Sequence, residues 1–356
     1  MLAVILNLKT GALAALFGAL LLGACLISAA PAPSNAAEGC AKPPASPLVV
    51  NVKSKGAKGN GRTDDTAAIQ AAIDDVAGTG GTVFVPNGTY MVDAAGKKTR
   101  LVLKSDMTLK LSERAILKAI PNDAEHYALL TISDVSNVTV VGGTLEGERT
   151  QHKGKTGEWG MGIHIRRGAK RITISGVTAK KMWGDGFYVS DAKEVKFCSV
   201  IADNNRRQGL SIIDVKDLLV TDSIFKNTHG TRPSAGIDLE PSKAEQRITD
   251  VRIENSKFLD NQGYGIQLAG KRGRILKVEI TDNVFKGNRP ILVENSPAVR
   301  SSSICRNRYI GQQAKQPGSL NAFADPTEIV ALQEDCQVAR DLRFEVNRNT
   351  KRRKKK

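Results

Sequence analysis

Hydrophobic and polar residues alternate in short runs through the middle of the chain, and these runs recur at a nearly constant spacing. The recurring units begin at residues 162, 186, 209, 236 and 265, each time with a glycine. An alternating stretch follows the glycine, then a polar cluster, then a second short stretch that ends near an asparagine. Alternation with a period of two predicts strands that bury one face. Sandwiches and barrels also use short strands, but only stacked coils require successive units to look alike, so the repeat predicts a parallel β-helix.

The residues before the repeat predict a helix followed by the strands of the first coils. The segment 63–77 has Thr63 as a possible N-cap, and its apolar residues Ile69, Ala72, Ile73 and Val76 share one helical face. We expect this helix to cover the open end of the solenoid, where strand edges and core would otherwise meet water. The stretches "GGTVFVPNGTYMV", "RLVLKSDMTLKLS" and "NVTVVGGTLEG" then supply early strands. The fold predicted is an all-β, single-stranded right-handed parallel β-helix with an N-terminal capping helix.

The chain ends divide it into four parts. Residues 1–36 have a lysine, a long apolar run and small residues at the end, which predicts a secretory leader. Residues 37–47 form a linker, 48–342 the β-helix domain, and 343–356 a disordered basic tail. No second apolar stretch is long enough to span a bilayer. We therefore expect a secreted or periplasmic protein, and "LGAC" ending at Cys25 leaves an outer-membrane lipoprotein open as an alternative.

Four cysteines remain if the leader is removed after Ala36: Cys40, Cys198, Cys305 and Cys336. In an oxidising compartment the late pair, Cys305 and Cys336, can close a C-terminal loop. The sequence alone does not determine the pairing.

The charge balance favours an acidic partner. The formal net charge is +16, of which the terminal run 351–356 and Lys9 together carry seven, leaving +9 for the body. A basic surface of this kind attracts acidic polysaccharide, an anionic envelope or nucleic acid. No recognition helix, zinc motif or aromatic RNA-binding pattern accompanies the charge, so we expect no nucleic-acid partner.

A family resemblance appears at this point. The segment "NVKSKGAKGNGRTDDTAAIQAAID" followed by "GGTVFVPNGTY" resembles the N-terminal signature of the pectate-lyase-like superfamily, in its rhamnogalacturonase/epimerase-like group. With the coils that follow, the resemblance covers residues 48 to 310. It implies a right-handed parallel β-helix, secretion and action on carbohydrate polymers. The signature lies in the helix and early coils, so it indicates the fold rather than the reaction.

The catalytic motifs of that superfamily do not transfer to this chain. Polygalacturonases carry an Asn-x-Asp, an Asp pair, a Gly-His-Gly and an Arg-x-Lys, whereas the comparable stretches here read "WGDGFYV", "RRQGLSI" and "AGIDLEP". Alginate epimerases carry Asp-Pro-His-Glu with a nearby tyrosine, which "GIHIRR" and "DGFYVSD" echo only in part.

Aligning the units on their glycines predicts two outward columns of side chains. The first column is His164, Tyr188, Ser211, Asp238 and Gln267, and the second is Arg166, Ser190, Ile213, Glu240 and Ala269. Neighbouring coils lie about 4.8 Å apart and alternate residues of one strand about 6.6 Å apart, so these columns form one polar patch.

The acids of this patch predict glycoside hydrolysis of an acidic, uronic polysaccharide. The spacing of Asp238 and Glu240, about 6.6 Å, lies at the lower edge of the range for an inverting acid and base. Asp185, roughly two coils away, is an alternative catalytic partner. Arg206 and Arg207 present planar donors that match a carboxylate or sulfate. Tyr188 can serve as a stacking surface or as an acid, beside His164 as a further substrate-binding residue.

Two other functions remain open. In a lyase or C5-epimerase, Lys181, Arg206 or His164 takes the proton next to the uronate carboxyl and Tyr188 is the acid. The carboxylates would then suit Ca²⁺, although the sequence predicts no cofactor or metal site with certainty. In a non-catalytic envelope protein, the basic β-helix only binds polysaccharide. The sugar, the linkage and the choice between monomer and trimer are not determined by the sequence.

Overall fold

The computed structural model describes residues 40, 46, 48–96, 100–270, 272–293, 298–311, 330–332 and 337–338. The predicted leader 1–36, Cys25, Cys336 and the tail 343–356 lie outside these residues, as does nearly all of the linker. One 3₁₀ turn, Val52–Lys55, and one helix, α1 (Thr66–Val76), precede the coils. In the described part of the chain, no helix is both long enough and apolar enough to cross a bilayer.

The rest of the described chain is strand and turn. The early strands are β1 Val49–Asn51, β2 Asn60–Asp64, β3 Thr82–Val85, β4 Gly88–Val92, β5 Leu101–Val102, β6 Met107–Leu111, β7 Ala115–Ala119, β8 His126–Ser133, β9 Ser136–Val141 and β10 Thr144–Glu146. The central strands are β11 Trp159–Ser175, β12 Thr178–Lys180, β13 Phe187–Cys198, β14 Ile201–Asp203, β15 Leu210–Thr221, β16 Ile224–Lys226, β17 Ile237–Leu239, β18 Arg247–Glu254 and β19 Lys257–Leu259. The late strands are β20 Tyr264–Leu268, β21 Arg274–Thr281, β22 Val284–Lys286, β23 Arg289–Val293, β24 Val299–Arg300, β25 Ser303–Cys305, β26 Arg308–Ile310, β27 Val330–Leu332 and β28 Gln337–Val338.

Parallel pairing between coils confirms the predicted solenoid. In one sheet β11 pairs with β13, β13 with β15, and β15 with both β17 and β18, all in parallel. In the other sheet the short strands β10, β12, β14, β16, β19 and β22 stack in the same way. The long strands bend at residues of positive φ, such as Arg167 and Asp191, so each one lines two faces of the coil.

The interior is a set of apolar columns, as the alternation predicts. The ten residues predicted to point inward are all at most 1% exposed: Ile163, Ile165, Phe187, Val189, Leu210, Ile212, Ile237, Leu239, Ile266 and Leu268. Aromatic rings stack from coil to coil along the second sheet, from Phe225 to Phe258, Phe285 and Tyr309. Each stacked pair of rings stabilises the fold beyond the contribution of its buried surface area.

The glycines that begin the units lie where two coils approach most closely. A Cβ built on Gly209 would lie 2.4 Å from the Gly236 carbonyl oxygen and 2.8 Å from Cδ1 of Phe225. A Cβ on Gly236 would likewise lie 2.6 Å from the carbonyl oxygen of Gly265. No other residue type fits at this distance, which is why the repeat keeps glycine here.

Helix α1 begins later than the sequence predicts. Its N-cap is Asp65, so the prediction of Thr63 as the cap is wrong. The Asp65 carboxylate is used elsewhere, since it accepts hydrogen bonds from the backbone N–H groups of Lys58 and Gly59. The four apolar residues predicted to share a face, Ile69, Ala72, Ile73 and Val76, are fully buried. The helix packs against β1, β3 and β5, while its role as a cap stays a prediction.

A disulfide joins Cys40 to Cys198 across 158 residues of sequence. It ties the segment before the first strand to the end of β13, in the middle of the solenoid. Cys305 is also disulfide-bonded, and its predicted partner Cys336 lies outside the described residues.

The close approach at the glycines gives a stability prediction. Gly209→Ala should lower the free energy of unfolding by about 1–3 kcal/mol, because the backbone of the next coil must move to admit the methyl group. Gly270→Ala is the matched control, since the nearest atom to its Cβ is Ala298 Cβ at 3.2 Å. The control should lose less stability than Gly209→Ala, because a side-chain methyl group has to move only a few tenths of an ångström and the backbone of the next coil does not. Equal urea midpoints for the two variants would contradict the packing argument.

Candidate functional site

The first predicted column of outward residues is confirmed by the strand register. His164 lies opposite Tyr188, Tyr188 opposite Ser211, Ser211 opposite Asp238, and Asp238 opposite Gln267. One strip on the outer side of the coils therefore carries these five side chains, of which Ser211, Asp238 and Gln267 are buried.

The second predicted column is only partly correct. Arg166 does lie opposite Ser190, but the pairing of β13 with β15 shifts there, and Ser190 lies opposite Asp214 rather than Ile213. Ile213 is 6% exposed. The irregularity occurs at the bend of the coil, where strict alternation no longer predicts direction.

Arg207 lies at the centre of a carboxylate cluster. Its Nη1 is 3.2 Å from Asp185 Oδ2, its Nη2 is 3.6 Å from Glu240 Oε2, and its Nε is 3.7 Å from Glu158 Oε2. The Ser211 hydroxyl also donates to Asp185 Oδ2, over 2.8 Å. One guanidinium therefore offsets three carboxylates, and the structure brings Asp185, Arg207 and Glu240 together. Its donors are already directed at protein groups, which leaves less of this arginine for a substrate carboxylate.

Asp185 has an altered acidity for an identifiable reason. Its side chain is fully buried, and burial raises its pKa to about 6 although Arg207 and the Ser211 hydroxyl act in the opposite direction. Its other oxygen, Oδ1, is buried and has no hydrogen-bond partner among the described residues. A carboxyl group with this pKa changes its charge near neutral pH.

Asp238 is buried beside Gln208, which connects it to residues 228–235, a loop inserted relative to the other coils. It is 1% exposed, and its Oδ2 accepts a hydrogen bond of 2.8 Å from Gln208 Nε2. The same glutamine accepts from the backbone N–H of Ala235. Glu240, by contrast, retains 31% side-chain exposure. The two predicted acids therefore differ in access, and their assignment as a catalytic pair stays a prediction.

His164 and Tyr188 form an edge-to-face pair on the outer surface, with ring centroids 5.1 Å apart. Burial, followed by the charges of Arg166 and Arg167, lowers the pKa of His164 to about 4. Burial, followed by the charge of Asp185, raises the pKa of Tyr188 to about 12. At neutral pH the imidazole is therefore neutral and the phenol protonated. These are the states that a base and an acid need before a reaction.

Positive charge is concentrated at the His164 end of this surface. Burial and the neighbouring Arg167 and Arg100 lower the pKa of Arg166. The Nε of Arg166 is buried and has no hydrogen-bond partner among the described residues. The outer face thus has a basic end around Arg166 and an acidic centre around Arg207.

Two residues predicted to bind substrate, Arg206 and Lys181, lie away from the His164–Tyr188 pair. The Arg206 guanidinium lies 3.8 Å from the centroid of the Trp183 ring and donates to the carbonyl oxygen of Gly157. Lys181 lines a cavity of about 690 Å³, together with Lys180 and His229. Although Arg206 and Arg207 are adjacent in sequence, Arg206 contacts Trp183 and Gly157, whereas Arg207 contacts the carboxylates.

Several residues of this region were not predicted from the sequence. Glu158 lies between repeats, so no periodicity marks it. Glu148 accepts hydrogen bonds from Tyr127 and from a ring nitrogen of His152, and the His152 ring stacks on Trp183 at 3.9 Å. These buried polar groups come from a single irregular loop and β8, where the repeat gives no signal.

The described residues contain no group of three or more His, Cys, Asp or Glu side chains arranged to hold a metal ion. The possibility of Ca²⁺, raised for a lyase, stays a prediction.

Comparison with known proteins matches two family models to parts of this chain. Residues 49–109 match the model described as rhamnogalacturonase A/epimerase, pectate lyase-like, and residues 121–248 match the right-handed β-helix region. Over these two segments the chain is similar to pectate-lyase-like and right-handed β-helix proteins. This confirms both the resemblance and the fold class predicted from the sequence.

Individual proteins that are similar to this chain carry different names. It is 28% identical over 289 residues to the uncharacterized protein YclG of Bacillus subtilis, which covers 68% of this chain and 48% of YclG. It is 35% identical over 189 residues to mannuronan C5-epimerase AlgE4 of Azotobacter vinelandii, covering 50% and 33%. The chain spans less than half the length of these curated relatives.

A solved structure supports the fold at lower sequence identity. The family 28 exopolygalacturonase of Yersinia enterocolitica superposes with a TM-score of 0.55 at 17% identity, covering 78% of this chain and 68% of that enzyme. At this identity the likeness establishes the fold alone.

The cluster around Arg207 gives a second stability prediction. Arg207→Ala should lower the free energy of unfolding by about 3–5 kcal/mol at pH 7, because Asp185 stays buried without its cation. The native pKa of Asp185 already lies above that of the unfolded chain, so protonation favours the folded state as the pH falls through 6. The loss in Arg207→Ala should therefore be smaller at pH 5 than at pH 7.

Asp185→Asn in the Arg207→Ala background should restore part of the loss at pH 7, as it removes the unpaired charge. Arg306→Ala is the matched control, because the Arg306–Asp282 pair is half-exposed and worth at most about 1 kcal/mol. Urea titrations at both pH values measure these differences. A pH-independent loss would show that the arginine acts by packing alone.

Proposed function

We propose that this protein is a lyase that cleaves a uronic-acid polysaccharide by β-elimination. The observation that supports the proposal best is the pair of His164, neutral, and Tyr188, protonated, on the outer face beside a basic end. The match to a mannuronan epimerase supports a uronate substrate, because epimerisation and elimination both begin with removal of the proton next to the carboxyl group. A member of a polysaccharide-acting family with a net positive body also fits an acidic polymer.

Binding in this proposal starts at the basic end. The substrate carboxylate pairs with the Arg166 guanidinium, whose planar fork matches a carboxylate. Arg166 and His164 are alternate residues of one strand, about 6.6 Å apart along it, so a sugar held by its carboxylate lies over the imidazole. Neutralising the carboxylate makes the neighbouring C–H more acidic, which the reaction needs.

The proton transfers then use the two rings. The His164 imidazole takes the proton from the carbon next to the carboxyl group. The electron pair of that C–H bond forms a C=C bond, and the bond to the leaving sugar oxygen breaks. The Tyr188 hydroxyl gives its proton to that oxygen. Solvent later returns a proton from His164 to Tyr188.

Elimination fits this geometry better than epimerisation. His164 and Tyr188 are neighbours on one surface, so both reach the same side of a sugar that lies on the column. Epimerisation requires a proton from the opposite side of the ring. A base and an acid on one side suit loss of a proton and a leaving group from that side.

We also propose that the protein acts outside the cytoplasm. The leader-like residues 1–36 and the disulfide Cys40–Cys198 support an oxidising compartment.

The assignment of the two rings gives a direct prediction. His164→Ala and Tyr188→Phe should each lower kcat/KM on a uronate polymer by about 10²–10⁴-fold, the usual contribution of one acid or base. The assay follows the ultraviolet absorbance of the new C=C bond. His229→Ala is the matched control, because His229 is exposed and lies outside the column. Full activity of His164→Ala and Tyr188→Phe would reject the assignment.

Hydrolysis is the second candidate, favoured by the pKa of about 6 of Asp185. In that function Asp185 is the general acid and Glu240, which is partly exposed, is the base that activates water. Asp238, predicted as a catalytic acid, is buried to the same degree as Asp185, and in this alternative its role is to hold Gln208.

The pH profile separates the two candidates. For the lyase, kcat/KM should fall only as the pH drops through about 4, because protonated His164 no longer accepts a proton. For the hydrolase, kcat/KM should fall as the pH rises through about 6, because Asp185 loses the proton it must donate. Reducing ends measured beside absorbance identify the reaction. Neither signal on a panel of uronic polymers would favour simple binding.

A further inference from the structure

A cavity of about 530 Å³ lies beside the far end of the first column. The inserted loop contributes Arg232, Pro233 and Ser234, and the following coils contribute Gln262, Tyr264, Gln267 and Arg289. Its volume falls in the range of cavities that bind small ligands. We name it the distal cavity.

The distal cavity is basic and carries an aromatic ring. Two of its lining residues, Arg232 and Arg289, are arginines, and none of those described is acidic. The Arg289 guanidinium lies 4.2 Å from the centroid of the Tyr264 ring and 3.4 Å from its hydroxyl. This stacking holds the guanidinium in place while its remaining N–H groups stay available to an anion.

The distal cavity is continuous with the strip that carries His164 and Tyr188. Gln267 is the last member of the first column and also lines the cavity. From Tyr188 the register passes through Ser211 and Asp238 to Gln267, three coil spacings or about 14 Å. A polymer lying along the column therefore reaches both places at once.

The central part of this path is acidic and the two ends are basic. Glu158 and Glu240 contact Arg207 in the centre, while Arg166 and Arg289 lie towards opposite ends. A carboxylate-bearing polymer is thus attracted at both ends and not at the middle. The end farther from His164 is the distal cavity.

We propose that the distal cavity binds one acidic sugar of the polymer, with its carboxylate on Arg232 and Arg289 and its ring against Tyr264. This inference rests on the proposed function for the identity of the polymer, but it concerns binding rather than reaction. It explains the inserted loop, which adds Arg232 to the wall of the cavity.

The test is a titration of oligouronates of increasing length into the variant Arg232→Ala/Arg289→Gln. The glutamine keeps much of the packing over Tyr264. The Kd for a long oligouronate should rise by about tenfold or more, because hydrogen bonds to charged groups are lost. A disaccharide is too short to span both ends, so its Kd at the basic end should not change. Arg171→Ala is the control, since this exposed arginine bonds Asn137 outside the cavity.

Two further sets of titrations test which ligand charge is recognised and whether binding is independent of the proposed reaction. An oligosaccharide carrying sulfate in place of carboxylate should bind in the same arginine-dependent way only if charge alone is recognised. A neutral oligosaccharide of equal length should bind weakly to all variants. The titrations are repeated in the His164→Ala background, where consumption of the substrate is slowed by about 10²–10⁴-fold.

Loss of affinity in the double variant without any elimination by the parent protein would support the distal cavity and reject the proposed lyase. Elimination by the parent with equal affinity in parent and double variant would support the lyase and overturn the distal cavity. Melting temperatures of the variants, equal to that of the parent protein, exclude unfolding as the cause.

Discussion

The architecture depends on how closely one coil lies on the next. Gly209 and Gly236 lie against the carbonyl oxygen of the glycine in the following coil, with no space for a side chain. This contact fixes the register of each strand, and the register aligns both the buried columns and the outward column from His164 to Gln267. The surface chemistry is thus a consequence of backbone packing. A shift by one residue would exchange the buried face for the exposed one.

The distribution of charge divides the outer face into an acidic centre and a basic end, which suit different reactions. One arginine, Arg207, holds three carboxylates, and the burial of Asp185 raises its pKa instead of leaving it fully ionised. At the other end, burial and the charges of Arg166 and Arg167 lower the pKa of His164, so its imidazole is neutral at pH 7. The acidic centre therefore holds Arg207 in place and contains a titratable group, Asp185. The basic end around Arg166 can receive an anion. The proposed lyase and the hydrolytic alternative differ in which of these regions meets the sugar.

The sequence predicted the parts of the structure that follow from periodicity. The coil repeat, the inward residues such as Phe187 and Leu239, and the first outward column all depend on alternation, and all are confirmed. The prediction for Ile213 was wrong because a bend shifts the strand pairing. The prediction for Thr63 was wrong because strand β2 continues to Asp64 and the helix begins only after Asp65. The separation of Arg206 from Arg207 also had no signal in the sequence. Their directions are set by Trp183 and by the carboxylates, which come from distant coils and irregular loops.

The disulfide between Cys40 and Cys198 alters how the molecule carries load. In a solenoid each coil contacts only its neighbours, so pulling on an end peels off one coil at a time. Here a pull on the chain ahead of Cys40 is passed through sulfur directly to the end of β13. The coils formed by the residues between Cys40 and Cys198 then carry none of this force. Under tension from the amino-terminal side, resistance therefore begins in the middle of the molecule.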